Sequence, residues 1–336
     1  MDLYCELPYT CANIDDYGDV HPCCTTYCSN YSFGNILEKN FSEIWNGEKA
    51  LNFRKQFTDK NFKYCKLNIC LPHRSNDDSI RIEPIVHKRP ASVLLGYDRT
   101  CNVNCIFCKP NNNQKYLEPF KIIEDKVSDL FKDVKNVNIA SAGEAFASLH
   151  SRNLIKKIAK TYPNIKFDIL TNGLLFNEKN LIELGIKEKL NLVGISFHTF
   201  NKNSYNKIVK NSNFDTVMEN INYAIKLKQE GLINILQFRA VITDYNYKEM
   251  VNFAQIAKSS GANVVFLNLI KYEIPDKIYN EINVINPEHR NHNKFIKILQ
   301  HPIFKEDFVS INQNLLKLKH KNIFEKLFKI NKFLAP

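Results

Sequence analysis

The chain has 336 residues, of which 44% are hydrophobic and 24% charged, and this composition is that of a globular protein with room for one large domain and a smaller one. Since no apolar run approaches the roughly 20 residues that span a bilayer and the first residues carry no secretory signal, we expect a cytoplasmic protein without a transmembrane segment. The net charge of +11 comes from lysines scattered along the chain, so we expect no nucleic-acid partner, whereas a small anionic substrate is compatible with it.

The first 75 residues form a short, loop-rich segment that holds seven of the ten cysteines. In a reducing cytoplasm, clustered cysteines indicate a metal site more than disulfides. A segment of this size buries little apolar surface, so we expect bound metal to stabilise its fold. Residues 76–91 are predicted to be a connector.

An apolar strand is predicted at 92–98, and the loop that follows has the spacing Cys101-x-x-x-Cys105-x-x-Cys108. Structural zinc sites usually take four protein ligands, and this loop has no fourth cysteine or histidine nearby, because His87 and His150 lie well outside it. The spacing therefore indicates a metal centre with one position left open. A zinc knuckle or buried free thiols are the alternatives.

Short apolar runs alternate with amphipathic helical segments over residues 92–270. Such alternation favours right-handed βαβ units and a parallel sheet. Six repeats predict an α/β fold, a partial (β/α)6 TIM-like barrel, and in such folds the site lies at the carboxyl ends of the strands. The loop at 101–108 falls at that edge. The predicted strands are 92–98, 136–143, 166–173, 191–198, 233–243 and 262–270.

Residues 271–336 are predicted to be a C-terminal helical extension. After an irregular stretch, residues 314–333 ("NLLKLKHKNIFEKLFKINKF") have the pattern of an amphipathic basic helix. We expect this helix to pack through its apolar face and to expose its lysines. Contact of the helix with a membrane surface is the alternative.

The three-cysteine loop, with the aromatic Phe107 before its third cysteine, resembles the radical S-adenosylmethionine (SAM) superfamily. The resemblance implies that Cys101, Cys105 and Cys108 hold three irons of a [4Fe–4S] cluster and that SAM binds the fourth iron. It implies that one electron cleaves SAM to methionine and a 5′-deoxyadenosyl radical, which abstracts a substrate hydrogen. An electron donor such as flavodoxin or ferredoxin is then required as a partner.

The same resemblance implies the residues that contact SAM. Phe107 would lie along the adenine, and "SAGEA" (141–145) is similar to the family's Gly-Gly-Glu-Pro loop, which binds the SAM amino group. Gly143 and Glu144 match that loop, and Ala142 stands in place of its first glycine. We interpret His198 as a hydrogen-bonded strand-end residue. The resemblance implies that Ser196 contacts the ribose or the methionyl carboxylate of SAM and that Arg239 pairs with that carboxylate. Asn172 and Gly173 would line the same rim of the site.

The N-terminal segment resembles the auxiliary cluster module called SPASM, or its shortened form, twitch. Twelve residues separate Cys5 from Gly18 and four separate Gly18 from Cys23, which fits the module's Cys-x(9–15)-Gly-x(4)-Cys pattern. The shortened form supplies four ligands to an auxiliary [4Fe–4S] cluster. A zinc site with the same ligands is the alternative. The implied ligands are Cys5, Cys23, Cys65 and Cys70, with Cys24 as the alternate to Cys23.

The leading hypothesis is a radical SAM oxidoreductase that dehydrogenates a small molecule such as a sugar or cyclitol and uses the auxiliary cluster as electron acceptor. A second hypothesis is an epimerase in which the thiol of Cys28 or Cys11 returns a hydrogen to the opposite face of the substrate. A third is peptide maturation. A non-catalytic iron–sulfur or zinc scaffold is the alternative that is not an enzyme.

Overall fold

The computed structural model describes residues 5–23, 31–65, 84–86, 88–96, 98–108, 125–126, 130–131, 133–139, 143–269 and 274–311. Outside the described residues lie Cys24, Cys28, Cys70, Ala142 and the predicted basic helix at 314–333. Within the described ranges, no helix has both the length and the apolar character needed to cross a membrane.

After the N-terminal segment, strands alternate with helices along the chain. The described strands are β1 (Cys11–Ile14), β2 (Asp19–His21), β3 (Gly34–Asn35), β4 (Ser92–Leu95), β5 (Asn104–Cys105), β6 (Asn136–Ile139), β7 (Lys166–Thr171), β8 (Leu190–Ser196), β9 (Val209–Lys210), β10 (Ile235–Val241), β11 (Asn263–Leu267) and β12 (Val309–Ile311). The described α-helices are α1 (Leu7–Thr10), α2 (Phe41–Trp45), α3 (Glu48–Thr58), α4 (Leu149–Thr161), α5 (Glu178–Glu183), α6 (Lys202–Ile208), α7 (Phe214–Gln229), α8 (Met250–Ser259), α9 (Asp276–Ile282) and α10 (His292–Ile298).

Several helices of the repeating part begin where a side chain caps the first turn. The Ser148 hydroxyl accepts a hydrogen bond from the Ser151 amide at the start of α4. Asn177, Asn201 and Asn213 cap α5, α6 and α7 in the same way. Because the first amides of a helix have no partner within the helix, these capping residues fix where each helix begins.

One ten-stranded sheet has the order β12-β11-β10-β8-β7-β6-β4-β1-β2-β3. The eight strands from β12 to β1 in this order are all parallel to their neighbours. At the other end of the sheet, β2 pairs antiparallel with both β1 and β3. The strands β4, β6, β7, β8, β10 and β11 are the six predicted ones, which confirms the α/β class and the partial barrel. The strand β12, which follows α10 and pairs with β11, was not predicted in the C-terminal extension.

The two faces of the sheet differ in polarity. On the outer face, alternate residues such as Val93, Ile169 and Phe238 are fully buried in the apolar core. Side chains alternate between the two faces along each strand, so the intervening residues lie on the inner face of the partial barrel. Polar side chains on this inner face are Asn138, Asp168, Ser196, Gln237 and Arg239.

The N-terminal segment joins the barrel through strand pairing. Strand β1 lies parallel to β4, with Cys11 opposite Ser92 and Ile14 opposite Leu95. The Gly96 amide then donates to the Ile14 carbonyl at 2.8 Å and extends the contact beyond the strand. The apolar residues of this segment belong to the same hydrophobic core as those of the barrel. The segment is therefore a continuation of the barrel sheet.

The turn between β1 and β2 is held by Asp15. Its carboxylate accepts hydrogen bonds from the amides of Tyr17 and Asp19, and it contacts His21 Nε2 at 2.9 Å. Burial by itself would lower the pKa of His21, but the hydrogen bond to Asp15 raises it. Asp15, Asp19 and His21 lie close enough to hold a metal ion. However, the bonds above already use Asp15 and the His21 ring, and Asp19 Oδ1 accepts from the side chains of Ser32 and Asn35.

Arg54 organises the interior of the N-terminal segment. Its side chain is fully buried, and its guanidinium lies 4.5 Å from the centre of the Trp45 ring. The guanidinium donates to the carbonyls of Pro8 at 2.9 Å, Trp45 at 2.8 Å and Pro84 at 3.3 Å, and to Asn46 Oδ1 at 3.1 Å. Burial lowers the pKa of Arg54 to about 10. One cation thus joins its own helix, α3, to three other stretches of chain.

Replacing Arg54 should destabilise this segment selectively. We expect Arg54→Met to lower the free energy of unfolding by about 3 kcal/mol, since several buried carbonyls would lose their donor. Trp45 is the only tryptophan, so its fluorescence during urea unfolding reports on this region. Lys55→Ala, at an exposed position of the same helix, is the control and should cost less than about 0.5 kcal/mol. Equal losses in the two variants would contradict the assignment.

Candidate functional site

The cysteine loop, residues 101–108, is anchored at the carboxyl edge of the sheet. Strand β5, inside this loop, pairs antiparallel with β9, and Cys105 lies opposite Val209. The Ile106 amide donates to the Ile208 carbonyl at 2.9 Å, and the Cys108 amide donates to the Cys105 carbonyl at 3.1 Å. Backbone bonds therefore fix the path of the loop from β5 to its third cysteine.

The loop after β6 touches the backbone that leads into the cysteine loop. A Cβ atom at Gly143 would lie 2.6 Å from the Asp98 carbonyl oxygen and 2.7 Å from that of Thr100. The Glu144 amide donates to the Thr100 carbonyl at 2.8 Å. Because backbone atoms cannot yield as a flexible side chain can, this position requires glycine. The contact fixes the start of the cysteine loop.

The Glu144 carboxylate is buried at the end of β7. It accepts hydrogen bonds from the Thr171 hydroxyl at 2.8 Å, the Asn172 amide at 2.6 Å and the Phe146 amide at 3.3 Å. Burial raises the pKa of Glu144 to about 7 in spite of these donors. The carboxylate thus links the ends of β6 and β7. Its contact with the SAM amino group stays a prediction.

Asn172, directly after β7, connects this carboxylate to the cysteine loop. Its side-chain Nδ2 lies 2.8 Å from Asn102 Oδ1 and 3.8 Å from Cys101 Sγ. Its Oδ1 accepts from the Leu174 amide at 2.9 Å, so the orientation of the amide is determined. The structure therefore brings together three predicted site residues, Cys101, Glu144 and Asn172.

A second group of predicted residues lies at the ends of β8 and β10. Phe107 meets His198 edge to face, with ring centroids 5.1 Å apart. Ser196 is opposite Arg239 in the register of the two strands. The His198 amide donates to the Arg239 carbonyl at 3.3 Å, and this links the aromatic pair to β10.

Arg239 lies across the inner face of β8. A Cβ atom at Gly194 would come within 3.0 Å of Arg239 Cδ and 2.7 Å of Leu170 Cδ2, so the glycine leaves the space that the arginine stem occupies. The guanidinium donates to Gln237 Oε1 at 3.1 Å. A cation is thereby positioned on the inner face, at the level of Ser196.

His198 is a hydrogen-bonded strand-end residue, as its interpretation from the sequence had it. Its Nδ1 accepts from the Val241 amide at 3.2 Å, and its backbone φ is 70°. The Asn246 side chain donates to the His198 carbonyl at 3.0 Å and supports this left-handed backbone. Burial lowers the pKa of His198 to about 4, so the ring is neutral at physiological pH and carries its proton on Nε2.

The thiols of the loop fit an iron–sulfur cluster better than a zinc ion. Their Sγ atoms do not all lie within 4.8 Å of one another. Tetrahedral zinc with bonds of about 2.3 Å would hold its sulfurs about 3.8 Å apart, whereas a cubane places each thiolate on a different iron. Burial raises the pKa of Cys101, and burial with the neighbouring Cys108 and Cys101 raises that of Cys105. A bound cationic metal would favour the thiolates instead.

Cys11 of the N-terminal segment lies at the opposite edge of the sheet. Cys11 is level with Ser92 and, across β6, with Lys166 at the start of the six-residue strand β7. The Cys23 carbonyl accepts a hydrogen bond from the side chain of Asn13, in the same strand as Cys11, at 3.5 Å. The full length of β7, about 20 Å, separates this level from the cysteine loop.

Three supporting residues of the site were not singled out in the sequence. Asp98 is buried and accepts hydrogen bonds from the Ser151 hydroxyl at 2.8 Å and the Thr100 amide at 3.0 Å. Asn102 and Thr171 accompany Asn172 as described above. Their position next to the strand ends is the signal that could have indicated them, since polar residues there face the site of a parallel α/β fold.

Comparison with known families agrees with this arrangement. Residues 98–257 match the family model of the Radical SAM superfamily, and residues 5–70 match that of SPASM, an iron–sulfur cluster-binding domain. The chain therefore carries the core domain of a radical SAM enzyme. More particularly, it is a radical SAM protein whose SPASM-type module precedes the core. Its cofactors are accordingly a [4Fe–4S] cluster, SAM and an auxiliary iron–sulfur cluster.

Among curated proteins, the chain is similar to GTP 3′,8-cyclase of Desulforamulus reducens, with 26% identity over 51% of this chain and 52% of the relative. It is also similar to a probable GTP 3′,8-cyclase of Methanocaldococcus jannaschii, with 28% identity over 56% of this chain and 63% of the relative. The chain thus matches little more than half the length of these relatives. Among solved structures, Streptococcus suis SuiB has a TM-score of 0.46 and 16% identity over 79% of this chain and 54% of its own.

The tight contact at Gly143 gives a direct test of the site. We expect Gly143→Ala to push residues 98–100 away and to impair both iron incorporation at the cysteine loop and SAM binding, measured by iron analysis and calorimetry. Gly231→Ala is the control: it adds the same methyl group where no atom lies within 4 Å. Its positive φ should cost about 1 kcal/mol of stability but should leave iron content and SAM affinity unchanged.

Proposed function

We propose that the protein dehydrogenates a small hydroxylated molecule, such as a sugar or cyclitol, by radical SAM chemistry. When bound, the cluster supplies the electron that cleaves SAM, and the resulting 5′-deoxyadenosyl radical takes a hydrogen atom from a carbinol carbon of the substrate. Loss of the hydroxyl proton and of one further electron then gives a carbonyl product. The N-terminal module, with Cys5, Cys23, Cys65 and Cys70 as its proposed ligands, provides the acceptor for that electron.

The observation that carries this proposal is the polar inner face of the partial barrel. Asn138 is nine-tenths buried there, and its Oδ1 has no hydrogen-bond partner in the part of the chain that the structure describes. A buried amide oxygen of this kind is costly unless a donor reaches it. A substrate hydroxyl is such a donor, and Gln237 and Arg239 add further polar groups on the same face. An apolar substrate would leave the Asn138 oxygen unsatisfied.

The position of Cys11 favours oxidation over an epimerase that uses this thiol. Cys11 is buried and lies about 20 Å from the cysteine loop by the strand rise of β7. A hydrogen donor must contact the substrate radical, whereas an electron can pass through protein. The other proposed donor, Cys28, lies outside the described residues.

The names of the relatives do not by themselves assign a substrate. The GTP 3′,8-cyclase of Desulforamulus reducens matches 181 residues of this chain, about the extent of a radical SAM core. This core carries the chemistry of SAM cleavage, which the superfamily shares, whereas substrate contacts also come from the inner face and from segments outside the match. Assays for a substrate should therefore include purine nucleotides as well as polyols.

The radical SAM activity itself is tested at the cysteine loop. Replacing Cys101, Cys105 and Cys108 together with Ala should remove about four irons per chain and abolish formation of 5′-deoxyadenosine from SAM under dithionite reduction. The readouts are iron analysis and chromatography of the nucleoside. Retention of SAM cleavage in this variant would exclude the proposed function.

The acceptor role is tested at the other edge of the sheet. This test uses a substrate that the unchanged enzyme converts to product. The double change of Cys23 and Cys65 to Ser should stop product formation. Uncoupled release of 5′-deoxyadenosine should continue, because the cysteine loop is unchanged. Cys11→Ala is the matched control from the same module and should keep both activities. If Cys11→Ala instead abolished turnover while both clusters remained, the epimerase hypothesis would replace oxidation. Normal product formation by the double variant would exclude the acceptor role.

A further inference from the structure

The side chain of Asn172 can affect the electronic properties of the cysteine loop. Its Nδ2 group is shared between Asn102 Oδ1 at 2.8 Å and Cys101 Sγ at 3.8 Å. Because its Oδ1 accepts from the Leu174 amide, the NH₂ group and not the oxygen faces the sulfur. The described contacts thus point an N–H donor at one of the three proposed iron ligands.

We propose that Asn172 is a tuning residue, whose N–H···S hydrogen bond to Cys101 raises the reduction potential of the cluster. The inference rests on the proposed function, because it presumes that Cys101 binds iron. Hydrogen bonds to the sulfurs are one of the means by which proteins set cluster potentials. An N–H dipole stabilises the more electron-rich, reduced cluster more than the oxidised one, and this ease of reduction matters for an enzyme that must accept an electron before it cleaves SAM.

The surroundings hold Asn172 in place for this role. Its backbone amide donates to the buried Glu144 carboxylate at 2.6 Å, and that carboxylate also receives the Thr171 hydroxyl. The next residue, Gly173, has a φ of 86°, and the side chain of Asn220 donates to its carbonyl at 2.8 Å. Both the backbone and the amide plane of Asn172 are therefore fixed before any cofactor binds. A donor fixed in advance costs no reorganisation when the cluster forms.

The experiment measures the reduction potential of the SAM-binding cluster in the full-length protein. The cluster is recognised as the one whose electron paramagnetic resonance signal changes when SAM is added, and this separates it from the auxiliary cluster. Asn172→Ala removes the donor. Asn172→Asp also removes it but keeps the oxygen that accepts from Leu174, so the turn is preserved. Both variants should show a lower midpoint potential, with the ratio of oxidised to reduced cluster at fixed potential raised about tenfold, or about 59 mV for one electron.

Asn102→Ala is the matched control, because it removes the partner amide in the same loop but leaves the Asn172 donor to the sulfur alone. Its potential should equal or exceed that of the unchanged protein. An unaltered potential in Asn172→Ala and Asn172→Asp, at full iron content, would overturn the inference. So would loss of iron in both variants, since Asn172 would then hold the loop rather than tune it. Failure of the proposed function is distinct: the unchanged protein would then have no signal that responds to SAM.

Discussion

The pairing of β1 with β4 is the constraint on which the arrangement of the whole chain depends. It makes the N-terminal module the continuation of the barrel sheet, with Cys11 level with Ser92. Parallel strands run in the same direction, so the amino end of β1 must lie at the edge opposite to the loop that follows β4. Cys11 and the cysteine loop therefore lie at opposite ends of the parallel strands. A module attached by a flexible linker would have no such fixed separation.

At the carboxyl edge, the ends of three strands meet through a few short contacts. The Gly143 backbone touches the chain after β4, and the Glu144 carboxylate receives the end of β7. The burial that raises the pKa of Glu144 to about 7 means that its charge is held at a cost, which three hydrogen bonds partly offset. A site built in this way is rigid before ligands arrive, and a small change at any one strand end is transmitted to the cysteine loop.

The sequence predicted the barrel well because its strands are apolar runs whose pattern is local. The start of each predicted strand lies within two residues of the observed one, as for Lys166 in β7 and Ile235 in β10. The pairing of β1 with β4 could not be predicted, because it joins segments about eighty residues apart and has no local signal. The role of Arg54 was missed for a similar reason: a buried arginine is unusual, and its four partners come from three separate stretches of chain.

The order of the two parts has a consequence for how electrons would move. Cys11 of the module lies at the amino edge of the sheet, about 20 Å from the cysteine loop. This position of the module agrees with our proposal that the auxiliary cluster accepts an electron and does not contact the substrate. The polar inner face, where Asn138 and Gln237 lie between the two edges, is the part of the sheet that we propose contacts the substrate.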